Sequence, residues 1–288
     1  MTLEAHNEFL TIDTPEGPRR IAWQCWQRST AADAPLLICV HGLTRNRHDF
    51  DVIAADLTNH YRVITVDIIG RGDSDRLDDP QHYGYPLYVS QMMQLLAHLA
   101  AKKGEGRCDW LGTSMGGLIG MMIAAMPQSP IDRLILNDIG PYIPLSGLTR
   151  LSDYVGKSPA FTAQSDVEEY LRFILAGFGQ LTDENWRHLA RYGADMQPDG
   201  RWCLRYDPGI AIAFDGLEGD IDLWAVWQAV SCPVLVLRGE DSDLLSEETV
   251  NRMLERPHTR AESFSQTGHA PALMSADQIS VIRDFLVM

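Results

Sequence analysis

Gly112-Thr113-Ser114-Met115-Gly116 places a hydroxyl between two glycines, the spacing of a serine lifted off a sharp strand-to-helix turn. Cys108-Asp109-Trp110-Leu111 before it reads as the end of a strand, and Met115 to Ala125 after it as a helix stopped by Pro127. The glycines let strand and helix approach closely, and the free amides and positive dipole end at such a helix start favour developing negative charge. A serine hydroxyl is a weak nucleophile that needs an adjacent base. The competing use of a glycine-rich turn is to cradle phosphate, but this one has no Lys-Ser or Lys-Thr ending and no Gly-x-Gly-x-x-Gly start. Ser114 is therefore the candidate nucleophile.

Acyl transfer also requires two amides pointed at the developing oxyanion. Met115, directly after the serine, supplies one, and Leu43 in His41-Gly42-Leu43-Thr44 is the natural second. Gly42 makes room for that loop. His41 sits beside it, a position better suited to holding the loop by hydrogen bonds than to taking a proton. The candidate base is His269 in Gln266-Thr267-Gly268-His269-Ala270-Pro271, beyond the last strand, where Gly268 lets the loop bend and Pro271 restrains its exit.

Two carboxylates compete to orient that imidazole. Asp138, in Leu136-Asn137-Asp138-Ile139-Gly140-Pro141, ends a strand before a long interruption; Asp243 follows the strand after it, in Gly239-Glu240-Asp241-Ser242-Asp243-Leu244. Either would be delivered to the carboxyl end of the sheet, where it could fix the histidine tautomer. Each also has a plain alternative, Asp243 as a solvent-facing or helix-capping acid and Asp138 as a tie for the entrance to the interruption. Glu240 and Asp241 sit earlier in the turn and rank lower.

The elements that must position these groups alternate. Phe9 to Ile12 and Arg20 to Gln27 read as early strands around a Pro15-Glu16-Gly17-Pro18 turn. Leu36 to Val40, Arg62 to Val66, Arg107 to Leu111, Ile131 to Asn137, Val234 to Leu237 and Arg260 to Phe264 complete eight strand segments. Helical spacing fills His48 to Asn59, Leu87 to Lys103, the stretch after Ser114, a run from Glu247, and Ala276 to Leu286. A mostly parallel sheet with helices on both faces accounts for this order. Residues 141–230 interrupt it with helical periodicity in Val167 to Ala176 and Glu184 to Tyr192 and no convincing strand, too long for a connection. The expected division is a core in two parts, 1–140 and 231–288, with a helical cap, 141–230, inserted after the sixth strand.

Composition narrows the class. Of 288 residues, 45% are hydrophobic and 22% charged, ordinary for a globular protein, and no run approaches the roughly 18 apolar residues that span a bilayer. Met1 to Glu8 lacks the basic start and apolar run of a signal peptide, so a cytoplasmic location is expected. A net charge of −15 repels phosphates and anionic membranes, which excludes nucleic acid as an expected partner. Cys25, Cys39, Cys108, Cys203 and Cys232 form no Cys-x-x-Cys pair, so neither a disulfide framework nor a metal site is expected.

With His41-Gly42-Leu43, Asp67-Ile68-Ile69-Gly70-Arg71-Gly72-Asp73-Ser74, the serine elbow and Gly268-His269, the chain resembles the α/β-hydrolase superfamily over essentially its whole length. The run Asn137-Asp138-Ile139-Gly140-Pro141 is similar to that of YbfF-type bacterial esterases. In that group the acid corresponds to Asp138, and a serine, here Ser242, stands where most members carry theirs. The resemblance favours Asp138, while the late position keeps Asp243 open. It implies an eight-stranded α/β-hydrolase fold and a serine carboxylesterase working without cofactor through an acyl-enzyme on small apolar or mixed-polarity esters. Carbon-carbon bond, lactone or thioester hydrolysis by the same residues stays open, as does a non-enzymatic ligand sensor. Met92, Met93, Met121, Met122, Tyr142, Phe161, Phe173 and Trp186 could line an acyl pocket, although at helical spacing such residues more often pack a core.

Overall fold

The computed structural model describes residues 3–28, 34–103, 106–157 and 159–287. Met1 and Thr2, part of the opening read for a leader, lie outside them. Eight strands form the central sheet: β1 (Leu3–Thr14), β2 (Gly17–Arg28), β3 (Leu36–Val40), β4 (Arg62–Val66), β5 (Cys108–Thr113), β6 (Ile131–Asn137), β7 (Val234–Gly239) and β8 (Thr259–Phe264). Their order is β1-β2-β4-β3-β5-β6-β7-β8. β2 runs antiparallel to both neighbours, and β4 through β8 pair in parallel.

β3 and β4 are buried at every residue, as strands covered on both faces must be. Their side chains divide with the period of two. Leu36, Ile38 and Val40 join the core under α2 (Tyr85–Lys103) and α3 (Met115–Ala124), whereas Leu37 and Cys39 join a second core under α1 (Asp51–Leu57) and, from the chain end, Ala276–Val287. This is the three-layer α/β sandwich of the α/β-hydrolase fold. Among the described residues no cysteine forms a disulfide, and Cys25, Cys39 and Cys108 are buried. Among the described residues no helix is long and apolar enough to cross a membrane.

Parallel register brings the functional loops level. Val40 pairs with Gly112, Thr113 with Asn137, Asn137 with Leu237, and Gly239 with Phe264. The chain therefore leaves β3, β5, β6, β7 and β8 along one edge, carrying the His41, Ser114, Asp138, Ser242 and His269 loops.

Between β6 and β7 lie α4 (Leu145–Ser152), α5 (Gln164–Ile174), α6 (Asp183–Gly193) and α7 (Trp224–Ala229), with Glu247–Leu254 (α8) and Ala276–Val287 (α9) following in the core. The insertion also contains strands that its sequence conceals: Ala160–Phe161, Trp202–Leu204 and Ala194–Met196 form one small sheet, and Tyr142–Ile143 pairs with Ile221–Asp222. Two or three residues are too few to display an alternating pattern.

The Gly70–Asp73 loop ties this insertion to the core. Gly72 N–H donates to Arg205 O and Asp207 N–H to Gly70 O, both at 2.8 Å. Asp73 pairs with Arg205 from the insertion and, at 2.6 Å, with Arg47 from the core, which also pairs with buried Asp67. Gly72 has φ +57°, and a Cβ there would meet the Asp67 carboxylate at 2.1 Å, so only glycine lets the loop pass.

Candidate active site

Ser114 stands between β5 and α3 with φ 51° and ψ −114°, a backbone conformation that non-glycine residues rarely adopt. The neighbouring glycines make it possible. A Cβ on Gly112 would lie 2.3 Å from the Gly116 backbone, and one on Gly116 would lie 2.0 Å from Val40 O. Trp110 Nε1–H donates to Gly116 O at 3.0 Å and fixes the far side of the turn.

His269 reaches over the sheet edge to this serine. Its Nε2 is 2.9 Å from Ser114 Oγ, and its Nδ1 is 2.8 Å from Asp138 Oδ2. A carboxylate only accepts, so Nδ1 carries the proton and Nε2 is left to accept from the serine. Asp138 is fully buried; Gly239 N–H donates to its Oδ1 at 2.7 Å and the Ser242 hydroxyl donates to its Oδ2. The Ser242 oxygen in turn accepts from the Leu244 and Leu245 amides, which turns its hydrogen toward Asp138.

Asp243 is not part of this array. One position beyond Ser242, its side chain faces α4, where Arg150 engages it through Nε and, at 2.9 Å, Nη2; it is 40% exposed and makes no hydrogen bond to His269. Partial burial pushes its carboxyl up, but the Arg150 guanidinium outweighs this and holds it below its ordinary value. The sequence left both acids open; the structure brings only Asp138 to the imidazole, because the turn after β7 aims residue 242 inward and residue 243 outward.

The His41–Leu43 loop is braced from both sides. His41 Nδ1–H donates to Gly42 O at 2.7 Å, Arg45 N–H donates to the same oxygen at 3.1 Å, and His41 Nε2 accepts from Ile68 N–H at 3.0 Å. Gly42 O and Leu43 N–H belong to one planar peptide and point in opposite directions. Holding the oxygen therefore aims the amide. Among the described residues the Leu43 amide meets no acceptor, and the Met115 amide opens α3, where no preceding turn supplies a carbonyl. Sequence reasoning missed Arg71 as a member of this site, although it lies in the quoted Asp67–Ser74 run. It is fully buried and donates to Leu43 O at 2.9 Å, Ile69 O at 2.8 Å and Tyr88 Oη at 3.0 Å.

Burial lowers the His41 pKa from 6.5 to about 3, with the Arg71, Arg45 and Arg47 charges adding to it against the opposing Gly42 hydrogen bond. The folded protein thus holds His41 neutral where the unfolded chain would protonate it. Its contribution is complete above pH 6.5 and is lost as pH falls from there toward 3. Urea unfolding is expected to show roughly 1.5 kcal/mol less stability at pH 5 than at pH 6.5 from this group, a dependence absent in His41→Asn. Equal pH slopes in both proteins would refute it.

Ser114 opens onto two cavities. One, of about 160 Å³, is walled by Leu43, Tyr85, Tyr88, Met115, Leu118 and Ile139 from the core and by Ile143, Leu148, Leu151, Phe214, Leu217 and Ile221 from the insertion. The other, of about 40 Å³, lies on the His269 side, with Thr44, Arg45, Tyr154, Leu175 and Phe178. The methionines and aromatics considered from sequence line neither. Met92 and Met121 are buried in the core, Met93 and Phe173 are exposed, and Trp186 packs under Arg172 within the insertion. The true lining comes in part from Tyr85 and Tyr88, at a helix start placed two residues too late from periodicity, and from insertion segments, α4 among them, that the sequence reading did not single out.

The chain belongs to the α/β-hydrolase family: a model of the alpha/beta hydrolase fold matches residues 35–274. It is 40% identical to the 3-hydroxybutyrate-oligomer hydrolase of Cupriavidus necator over 289 residues, covering 96% of each protein. Among solved structures, an alpha/beta hydrolase from Novosphingobium aromaticivorans is 31% identical, with a TM-score of 0.87 over 100% of this chain and 99% of that one. A candidate hydrolase from Rickettsia typhi is 30% identical, with a TM-score of 0.89 over 99% of both. Family and relatives together make this chain a hydrolytic, ester-cleaving enzyme.

Proposed function

We propose that the protein is a serine carboxylesterase that cleaves short esters through an acyl-enzyme, with Ser114 as nucleophile, His269 as base and Asp138 as the orienting acid. The observation that carries this is the continuous chain of contacts from Ser114 Oγ through both ring nitrogens of His269 to buried Asp138. His269 takes the serine proton as Ser114 attacks the ester carbonyl, and the Leu43 and Met115 amides receive the oxyanion. The imidazolium then protonates the leaving alcohol, and water repeats the cycle to free the acid. His41, Gly42 and Ser242 are positioning residues, the first two through the Leu43 peptide and the third through Asp138. An acid after β6 with a serine after β7 is the YbfF-type arrangement, and residues 141–230 serve as the cap that walls the substrate cavity.

The relative that hydrolyses 3-hydroxybutyrate oligomers supports a short hydroxyacid ester as substrate. Cavity size supports it too. An apolar cavity of about 150 Å³ holds benzene, about six heavy atoms, so one of about 160 Å³ takes a single short acyl unit. With straight-chain esters of one alcohol, kcat/KM is expected to peak at about four to six acyl carbons and to fall at least about tenfold by about ten. Linear dimers and trimers of 3-hydroxybutyrate should yield monomer. Thioesters or vinylogous diketones turned over faster than every ester, or a flat chain-length profile, would overturn this substrate class.

A further inference from the structure

Proton delivery divides the site into two sides. The leaving oxygen must lie within reach of His269 Nε2, so the alcohol departs past the small cavity that His269 helps to line, and the acyl chain enters the larger cavity, which it does not line. Three residues that carry a side-chain hydroxyl line that larger cavity: Ser114, Tyr88 and Tyr85. Ser114 is held by His269, and Tyr88 Oη receives Arg71 Nη1–H. The Tyr85 hydroxyl has no hydrogen-bond partner among the described residues, and the rest of the wall is aliphatic and aromatic.

Tyr85 is half-buried at the first turn of α2, its ring set edge-on to Tyr88 with centroids 6.1 Å apart. Burial pushes its phenol well above the ordinary range, so it stays protonated and available as a donor. A bound acyl chain that shuts water away from this phenol leaves it unpaired in otherwise apolar surroundings, which is costly and favours a chain carrying a group that can pair with it.

We infer that Tyr85 selects the acyl group, donating a hydrogen bond to an oxygen substituent on the chain so that hydroxyacyl esters are preferred over unsubstituted acyl esters of equal length. The inference rests on the acyl-enzyme reading above. The Tyr85–Tyr88 contact would hold the donor in place, and the short cavity would bring the substituent of a four-carbon acyl chain alongside it. Nothing covalent forms at Tyr85, and its proton stays on the phenol. It is a specificity-determining residue, not a proton donor to the reaction.

The test compares methyl 3-hydroxybutyrate, both enantiomers, with methyl butyrate in the wild type, Tyr85→Phe and Ser114→Ala. Phenylalanine keeps the ring against Tyr88 and removes only the hydroxyl. The expected result is a wild-type kcat/KM ratio favouring the better hydroxy enantiomer, reduced about three- to tenfold in Tyr85→Phe, the scale of one neutral hydrogen bond. A thermal unfolding midpoint close to the wild type would separate lost selectivity from lost structure, and Tyr85→Leu, which removes hydroxyl and ring together, should reduce the ratio likewise. An unchanged ratio in both variants, or no wild-type preference while Ser114→Ala abolishes turnover, overturns the role of Tyr85 and leaves the esterase reading intact. Persistent turnover in Ser114→Ala overturns the esterase reading itself.

Discussion

Ser114→Ala is expected to lower kcat on a short ester by about 10⁶-fold while the protein stays folded. The scale follows from what is removed. Without Oγ no acyl-enzyme forms, and His269 has no hydroxyl to activate; catalysis falls back to what the Leu43 and Met115 amides give to direct attack by water. The fold should tolerate the change because alanine keeps the Cβ and therefore adds no new clash at the strained φ of 51°. The strain at the elbow is imposed by β5, α3 and the Gly112–Gly116 contact, none of which depends on the hydroxyl. Steady-state rates with a thermal melt check both halves. A rate within about tenfold of the wild type would rule out the serine mechanism, since a nucleophile in such a unit accounts for far more.

Asp138→Asn is expected to cost about 10⁴-fold in kcat, and Asp243→Asn less than about twofold. Asp138 receives three donors: His269 Nδ1–H, Gly239 N–H and the Ser242 hydroxyl. An amide cannot accept all three. Wherever its NH₂ is placed it opposes a donor, and when it faces Nδ1 the imidazole adopts the tautomer whose Nε2 carries the proton and cannot take one from Ser114. Asparagine also removes the negative charge that stabilises imidazolium. Asp243, by contrast, loses a partly exposed ion pair with Arg150, an interaction worth about 0–1 kcal/mol, and makes no hydrogen bond to the imidazole. The two variants assayed side by side, with kcat and KM separated, discriminate cleanly. Equal losses, or a larger loss in Asp243→Asn, would reassign the acid.

The strands and the elbow were legible because each is a local pattern. Leu36 to Val40 is an unbroken apolar run, and Gly112 and Gly116 bracket Ser114 where a Cβ would stop β5 turning directly into α3. β1 and β2 were legible in position but not in length, reaching Leu3 and Arg28, because exposed residues in an edge pair carry little apolar signal. The short strands of the insertion left no signal at all.

Arg71 shows a different limit. Its charge suggests a surface residue, and only the assembled fold reveals it buried with three oxygen acceptors beside the Leu43 loop. Nothing in spacing announces a buried arginine whose partners are two carbonyls and a tyrosine hydroxyl, two of the three from other segments.

By itself the sequence determined the α/β-hydrolase fold, the strand-turn-helix around Ser114 and a late loop carrying His269, since apolar period, glycine placement and chain order are properties of neighbours along the chain. Tertiary structure alone decided which acid meets the imidazole and which residues wall the cavity. Asp138 directly follows β6, Asp243 lies in the turn after the adjacent parallel β7, and their side chains aim in different directions. Those directions are set by the Ser242 turn, by Arg150 and by the left-handed backbone of Asp138 (φ 55°), contacts between segments about a hundred residues apart.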